Sequence, residues 1–165
     1  MAVPFIQLGQ CGNQVGEALF ERMYQEGCKA SAGHQAMLSY FFDESPKGNV
    51  AKAFLIDMEP KVVNKNLNMQ RSWKYNKDYS VVQEEGSGNN WAYGCRIHGP
   101  RVSSKILSRI RKMFEEEDYV KCMFQIQSLA GGTGSGLGTF IMQLLGENFP
   151  KLEKINICIM PHLSG

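Results

Sequence analysis

The sequence lacks the features that mark a membrane protein, a secreted protein or a strongly nucleic-acid-binding protein. No run approaches the roughly 18 apolar residues that a membrane-spanning helix needs. The N-terminus, MAVPFIQLGQ, has neither the basic start nor the long apolar core of a signal peptide. The formal net charge of +2 is too small to attract nucleic acid or a membrane surface by bulk electrostatics. We therefore expect a cytoplasmic protein that binds neither nucleic acid nor membranes.

Cysteine and histidine patterns typical of disulfides or bound metals are also absent. The cysteines are odd in number and form no CxxC pair, and the three histidines lie far apart in the sequence. This usage is typical of a reducing compartment, in which cysteines serve mostly as small buried hydrophobic residues. The five cysteines are Cys11, Cys28, Cys95, Cys122 and Cys158.

Short apolar runs alternate with longer amphipathic runs along the 165 residues. The short runs predict strands, and the runs with apolar residues at helical spacing predict helices. The predicted strands are 2–8, 53–57, 79–83, 122–129 and 155–160. The predicted helices are 11–26, 60–69, 101–118 and 138–149. Such alternation predicts an α/β, Rossmann-like fold, a mainly parallel sheet with helices on both faces.

Some parts of the chain fall outside this alternation. Residues 28–50 and 66–78 are predicted to be irregular. The chain stops directly after the fifth predicted strand, where a doubly wound sheet would continue with a loop and another helix. We interpret residues 1–165 as an incomplete sheet, the N-terminal part of a longer nucleotide-binding domain.

Glycine-rich and polar loops follow the first four predicted strands. Ligands of an open parallel sheet bind beyond the carboxyl ends of its strands, so these loops meet at the edge where a ligand would lie. Four such loops at one edge predict a binding site more strongly than any single loop. The loops are GQCGNQ (9–14), DMEPK (57–61), GSGNNWAYG (86–94) and AGGTGSG (130–136).

The segment SLAGGTGSGLGTF (128–140) is predicted to bind phosphate. Backbone N–H groups that no Cβ atom shields bind anions, and the following helix adds a positive dipole end. Leu137 stands where a Walker A motif needs lysine, and no three glycines have the GxGxxG spacing. The alternative is a tight strand-to-helix turn. The residues of this predicted phosphate loop are Ser128, Gly131, Gly132, Thr133, Gly134, Ser135 and Gly136.

Two other loops supply candidate phosphate contacts. Gln10 and Cys11 open the first predicted helix, so their backbone N–H groups point at the same edge. We expect Cys11 to be a packing residue rather than a nucleophile. Ser87, Gly88 and Asn89 are predicted to form a second backbone nest, although a plain turn has the same composition.

Asp57 and Glu59 are the candidate metal ligands. Mg²⁺ takes one or two carboxylates together with water and phosphate oxygens, so these two carboxylates suit it, directly or through water. The alternative is that Asp57 caps the helix that begins at Pro60, and capping is compatible with metal contact.

The predicted helix 101–118 carries a basic stripe. A solvated helix face is the simpler interpretation, and contact with a partner is the alternative. We expect Trp91, ahead of this helix, to be a packing anchor rather than a platform for base stacking. The stripe consists of Arg101, Lys105, Arg109 and Lys112.

Taken together, the four loops resemble the nucleotide loops of tubulins. GQCGNQVG, IDMEPKVVN, GSGNNWAYG and SLAGGTGSGLGTF occur in the tubulin order and at about the tubulin spacing, and the resemblance covers the whole chain. Ala130 stands where alpha and beta tubulins carry a further glycine, and DMEPK departs from their EPG ending. Together with HGPR (98–101), the loops are most similar to those of the delta or zeta tubulins of centrioles and basal bodies.

The resemblance implies a GTP-binding structural subunit of microtubule-based structures that uses GTP or GDP and Mg²⁺. It implies partners among other tubulins, through longitudinal and lateral contacts, and among microtubule- or centriole-associated proteins. It also implies a location in the cytoskeleton, at a centriole, basal body or cilium. The resemblance implies that Gln10 and Cys11 make the first phosphate contacts, and that Asp57 and Glu59 lie near Mg²⁺ and the γ-phosphate. It implies that Asn89 also contacts the γ-phosphate. The implied contacts of the α- and β-phosphates are Ser128, Gly132, Thr133 and Gly134.

The resemblance also implies functions that this chain does not carry alone. The tubulin residues that recognise guanine lie later in the sequence, and the residue that helps to activate the attacking water comes from the next subunit of a filament. GTPase activity is therefore expected only for the full-length, assembled protein. The alternative is an interaction module that binds no nucleotide at this length. The missing GxGxxG spacing argues against a dinucleotide-dependent enzyme.

Overall fold

The computed structural model describes residues 1–30, 36–46 and 48–161. Its strands are β1 (Phe5–Leu8), β2 (Phe42–Asp43), β3 (Asn49–Ala51), β4 (Ala53–Asp57), β5 (Trp73–Tyr75), β6 (Ser80–Val82), β7 (Cys122–Ser128) and β8 (Glu153–Ile159). Its α-helices are α1 (Gly9–Lys29), α2 (Pro60–Asn68), α3 (Trp91–Tyr93), α4 (Gly99–Glu115) and α5 (Gly138–Asn148). Two π-helical turns, Gly94–His98 and Thr133–Leu137, lead into α4 and α5, and short 3₁₀ helices occupy Ala36–Tyr40 and Lys77–Tyr79.

Five strands form one parallel sheet in the order β6-β4-β1-β7-β8. β1 lies at its centre, where Phe5 is in register with Ala53 of β4 and with Phe124 of β7. This parallel sheet with its connecting helices confirms the predicted Rossmann-like α/β fold. Because all five strands run in the same direction, their carboxyl ends lie along one edge.

Helices cover both faces of this sheet because successive side chains of a strand point to opposite faces. Ile6 of β1 and Phe54 of β4 pack in one core cluster with apolar residues of α4 and α5. Their sequence neighbours Phe5 and Leu55 pack in a second cluster with residues of α1 and α2. The sheet is therefore the middle layer of three.

A second sheet of three short strands has the order β2-β3-β5. β2 and β3 are antiparallel, whereas β3 and β5 are parallel. The prediction that 28–50 and 66–78 are irregular is therefore wrong where these strands lie. Strands of two or three residues show little alternation, so periodicity did not reveal these three, although the equally short β6 lies within the predicted strand 79–83.

Aromatic contacts hold the second sheet against α1. The ring centroid of Phe20 in α1 lies 5.4 Å from that of Phe42 and 5.9 Å from that of Trp73. The Arg71 guanidinium lies 4.2 Å from the centroid of the Trp73 ring and pairs with Glu17 of α1 at 2.8 Å. Aromatic pairs add about 0.5–1.5 kcal/mol each beyond their buried area, so the small sheet is anchored by side chains rather than by its own length.

Helix boundaries differ from prediction most around Trp91. The helix predicted at 101–118 already begins at Trp91, continues through the π-helical turn and ends at Glu115. The glycines and the proline of this stretch favoured a loop, but Asn90 caps the helix, since its side-chain oxygen accepts the N–H of Tyr93 at 3.1 Å.

Within the described ranges, no helix combines the length and the apolar character that crossing a membrane demands.

The basic stripe of α4 is largely paired within the chain. Arg101 lies 3.2 Å from Glu85, and Lys112 lies 3.7 Å from Asp78. Arg109 donates a hydrogen bond to a backbone carbonyl of β6. Exposed pairs of this kind contribute little to stability, and they agree with the interpretation of a solvated helix face.

Lys52 links the second sheet to the end of α4. Its side chain is only 7% exposed and pairs with Asp43 of β2 at 2.8 Å and with Glu117 just beyond α4. Burial lowers the pKa of Lys52, but the hydrogen bonds to both carboxylates outweigh that effect, so the pKa is raised above its ordinary value. The ammonium therefore stays charged and holds the two elements together.

The prediction that the cysteines are mostly buried is wrong. Cys28 and Cys158 are exposed, and the other three are half-buried. Cys158 lies on β8, which pairs only with β7 among the described strands and exposes residues along much of its length. Ile155 of β8 is 43% exposed. Cysteines at a sheet edge and at helix ends lack the two-sided packing that the prediction assumed.

Candidate phosphate-binding site

A cavity of about 400 Å³ opens at the carboxyl edge of the parallel sheet. Its size is within the range of small-molecule sites. Residues from all four predicted loops line it, and among the predicted site residues only Ser135 and Gly136 do not. The predicted residues that line the cavity are Gln10, Cys11, Asp57, Glu59, Ser87, Gly88, Asn89, Ser128, Gly131, Gly132, Thr133 and Gly134.

The first turn of α1 forms one side of the cavity. Gly9 has φ +70°, and a Cβ atom there would lie 3.0 Å from the backbone nitrogen of Gly134. Glycine therefore allows the start of α1 to touch the phosphate loop backbone to backbone. No side chain caps α1, and its first turn carries no acidic residue, so its free N–H groups and positive dipole end face the cavity without competition.

Asn13 holds this helix start in place. Its side-chain amide donates hydrogen bonds to the carbonyls of Gly9 at 2.9 Å and of Ile56 at 3.0 Å, and it is fully buried. These bonds tie the first turn of α1 to the end of β4. No role was predicted for Asn13, because an asparagine inside a helix gives no periodic signal.

Hydroxyl groups shape the phosphate loop. Thr133 and Ser87 place their side-chain oxygens 2.9 Å apart, which joins the loop after β7 to the loop after β6. The hydroxyl of Ser128 accepts the N–H of Ala130 at 3.1 Å. Ser135 is buried, and its hydroxyl donates to the carbonyl of Gly131. Ser135 therefore closes the turn behind the cavity instead of facing it.

The two π-helical turns are packed together through glycines. A Cβ atom on Gly94 would lie 2.1 Å from the carbonyl oxygen of Gly132, and one on Gly136 would lie 2.2 Å from the carbonyl oxygen of Trp91. Only glycine permits so close an approach. Trp91 was predicted to be a packing anchor; its backbone makes this contact, while the residue as a whole is 44% exposed.

The loop after β6 is both a nest and a turn. Gly88 and Asn89 have φ values of 54° and 55°, and asparagine tolerates this left-handed conformation better than most residues. The N–H of Asn90 donates to the carbonyl of Ser87 at 2.9 Å, which closes a turn. The Asn89 side-chain oxygen lies 3.7 Å from where a Cβ on Gly131 would be, so this amide faces the phosphate loop.

Asp57 is buried at the end of β4. One of its oxygens accepts the N–H of Met58 at 2.7 Å and that of Glu59 at 3.4 Å. Burial raises the pKa of Asp57 to about 6; the two backbone hydrogen bonds act against this rise, and the charge of Glu59 adds to it. The hydrogen bonds from Met58 and Glu59 to Asp57 close the turn that precedes α2. Asp57 does not cap α2 itself, because no side chain caps the first turn of this helix.

Glu59 brings a second carboxylate beside the loop after β6. It is exposed, and a Cβ on Gly86 would lie 2.5 Å from its carboxylate oxygen. No cluster of three or more Cys, His, Asp or Glu suited to a metal occurs in the described ranges. Two carboxylates nevertheless fit Mg²⁺, because this ion takes its remaining ligands from phosphates and water.

Lys61 lines the cavity although no role was predicted for it. It is the only basic side chain among the described residues of the lining, and it is exposed. Lys61 is the last residue of the predicted loop DMEPK. This position, two residues after Glu59, was the feature of the sequence that could have indicated a role in the site.

Comparison with known proteins identifies the family. A model of the GTPase domain of the Tubulin/FtsZ family matches residues 2–165. The chain belongs to the Tubulin/FtsZ family. The resemblance to tubulins is therefore confirmed, and the cavity lies in a domain whose family is described as a GTPase.

Individual tubulins share substantial identity with this chain. The tubulin delta chain of Canis lupus familiaris is 42% identical to it over 100% of this chain and 39% of the relative, and that of Homo sapiens is 40% identical over the same shares. The tubulin epsilon chain of Mus musculus is 34% identical over 94% of this chain and 36% of the relative. The chain thus spans 39% of the length of the delta tubulins it matches.

Proposed function

We propose that this chain forms the phosphate-binding part of a GTP-binding tubulin subunit, as the N-terminal part of a tubulin-type GTPase domain. The observation that carries the proposal is the convergence of four loops on one cavity at the carboxyl edge of the sheet. Membership of the Tubulin/FtsZ family supports guanosine nucleotides as the ligand. The 39% share of the delta tubulins supports a larger parent protein.

The proposed phosphate contacts follow from the donors around the cavity. The backbone of Gly131–Gly134 and the first turn of α1, with Gln10 and Cys11, surround one part of the phosphate chain. Ser87, Gly88 and Asn89 approach it from the loop after β6. Backbone N–H groups and hydroxyls are the donors that bind phosphate without a dedicated cation.

Mg²⁺ is the proposed metal, held by Glu59 and Asp57 directly or through water. When bound, it would neutralise charge on the terminal phosphates. Glu59 is the more accessible ligand, because Asp57 is buried and already accepts two backbone hydrogen bonds. Asp57 would therefore orient the loop that presents Glu59.

The assembly and location of the protein are proposed from its relatives. Identity to tubulin delta and epsilon chains supports a cytoskeletal subunit that contacts other tubulins along and between filaments. We extend this proposal to microtubule- or centriole-associated proteins as partners and to centrioles, basal bodies or cilia as the location. GTP hydrolysis is proposed only for the full-length, assembled protein.

Isothermal titration calorimetry on the full-length protein tests nucleotide binding. We expect GTP and GDP to bind in the presence of Mg²⁺ and NAD not to bind. Thr133→Val removes the hydroxyl that joins the two loops and should weaken both nucleotides by about tenfold, as the loss of a charge-assisted hydrogen bond does. Thr139→Val is the matched control, because the Thr139 hydroxyl donates to the carbonyl of Ser135 in the adjoining π-helical turn and Thr139 does not line the cavity.

The same experiment decides between the proposal and its alternative. If the full-length protein binds neither nucleotide, the chain is an interaction module with a tubulin-like surface. If the full-length protein binds and residues 1–165 alone do not, the cavity is one part of a larger site, as proposed.

A further inference from the structure

We propose that Lys61 binds the terminal phosphate of the nucleotide and makes the site prefer a nucleoside triphosphate to a diphosphate. This inference rests on the proposed function, since it concerns the phosphate chain of the same ligand.

The Lys61 side chain is available for such a contact. It lines the cavity, lies in the first turn of α2 and makes no ion pair with another described residue. Other lysines without an ion pair among the described residues, such as Lys65 and Lys105, do not line the cavity. A lysine without a carboxylate partner, placed in the wall of a predicted anion site, is matched to an anionic ligand.

Glu59 does not supply the missing partner. Glu59 is the extended residue before α2, and its carboxylate is turned towards Gly86, as the 2.5 Å approach to the Cβ position there shows. Glu59 and Lys61 thus both line the cavity without forming an ion pair with each other. A phosphate bound there with its cation would meet both side chains.

The strand order indicates which end of the phosphate chain meets Lys61. β4 and β6 lie on one side of β1, and β7 lies on the other. Phosphates therefore run from the glycine loop after β7 towards the carboxylates after β4. In nucleoside triphosphatases Mg²⁺ bridges the β- and γ-oxygens, so the carboxylate end is the terminal end, and Lys61 stands at that end with Glu59.

Charge favours the longer ligand. Asp57 and Glu59 are the acidic groups of the cavity wall, and Lys61 is its one basic group among the described residues. A third phosphate brings further negative charge next to the carboxylates of Asp57 and Glu59, which repel it. A positive charge in addition to Mg²⁺ is therefore needed there. Lysine suits this role because its ammonium is a point charge that binds phosphate without demanding a fixed geometry. A diphosphate ends before this point and leaves Lys61 in water.

Calorimetric affinities of the full-length protein test the inference. GDP and a non-hydrolysable GTP analogue would be titrated with Mg²⁺ at fixed ionic strength into the unmodified protein, Lys61→Gln and Lys61→Arg. We expect Lys61→Gln to weaken the triphosphate by about tenfold and to leave GDP affinity within about twofold. Lys61→Arg keeps the charge and should retain most of the preference. Lys65→Gln is the matched control, because Lys65 lies one turn further along α2 and outside the cavity wall.

Equal weakening of both nucleotides, or no effect on either, overturns the role of Lys61 while leaving the proposed function intact. Failure of the unmodified protein to bind either nucleotide overturns the proposed function itself. A test without substitutions guards against variants that do not fold. Inorganic tripolyphosphate should displace GDP from the unmodified protein more effectively than pyrophosphate, and equal displacement contradicts the inference.

Discussion

Asp57 is a buried carboxyl group whose pKa is raised to about 6, chiefly by burial. Because the pKa in the folded protein exceeds the ordinary value, the folded protein holds a proton that the unfolded chain has released between about pH 4 and 6. The free energy of unfolding therefore falls as pH rises through this window. Ionisation of the buried Asp57 thus lowers the free energy of unfolding, and it places a carboxylate where phosphate and metal are proposed to bind.

Asp57→Asn should stabilise the nucleotide-free protein above pH 6 and lower its Mg²⁺-dependent nucleotide affinity. The asparagine oxygen still accepts the backbone N–H groups, and the buried charge is removed, so a gain of about 1–3 kcal/mol is expected at pH 7. Chemical denaturation at pH 4 and pH 7 measures the difference. A gain of the same size at both pH values would contradict this assignment of the effect to ionisation.

Gly9→Ala should destabilise the start of α1. The left-handed φ of Gly9 and the 3.0 Å approach to the Gly134 nitrogen predict a loss of about 1–3 kcal/mol together with weaker nucleotide binding. Gly146→Ala is the control, because nothing lies within 4 Å of a Cβ there and alanine favours a helix interior by about 0.5–1 kcal/mol. Thermal unfolding of the two variants should therefore shift in opposite directions.

At the scale of elements, the sequence predicted what carries a repeating pattern. The parallel strands and the long helices were found to within a few residues, because their apolar positions repeat over several turns or strand residues. β2, β3 and β5 were missed because they are stabilised by aromatic packing against Phe20 and by pairing between strands that lie far apart in the sequence. The start of the helix at Trp91 was missed because glycine there serves close packing between backbones rather than a turn.

The candidate site was predicted in outline because its loops follow strands that the pattern reveals. Its inner supports were not predicted. Asn13 acts through carbonyls that only the fold brings near, and Ser135 turns inward towards Gly131. Lys61 was visible in the sequence, but its lack of an ion-pair partner among the described residues is a property of the folded chain.

The connection between the second sheet and α4 depends on Lys52. Lys52→Ala leaves Glu117, whose side chain is only 13% exposed, without its cation. We expect a loss of about 2–4 kcal/mol, less than for a fully buried pair because Asp43 is exposed. Lys121→Ala is the control, because the Lys121–Glu153 pair is exposed on both sides, and chemical denaturation should show a change below about 0.5 kcal/mol. Equal losses in the two variants would contradict a structural role for the buried pair.

At the scale of the whole molecule, β8 is the exposed part of the sheet. A polypeptide of residues 1–165 is expected to aggregate, because a strand that has a neighbour on only one side among the described strands pairs readily with other chains. Ile155→Lys places a charge on this strand and should raise the soluble fraction at least about twofold. Ile97→Lys is the control, since Ile97 is 39% exposed but lies in a helical segment. Comparable solubility of the two variants would show that the edge is not responsible.

The glycine contact between the two π-helical turns makes the intrinsic fluorescence of Trp91 a probe of the phosphate loop. Trp91 and Trp73 are the only tryptophans of the chain, and Trp73 is buried in the aromatic cluster beside α1. The Trp91 carbonyl lies against Gly136 of the phosphate loop, and the residue as a whole is 44% exposed. We therefore expect a ligand that shifts the phosphate loop to move Trp91 and to change the fluorescence of its indole. Nucleotide occupancy should be visible as a change in intrinsic fluorescence that Trp91→Phe abolishes.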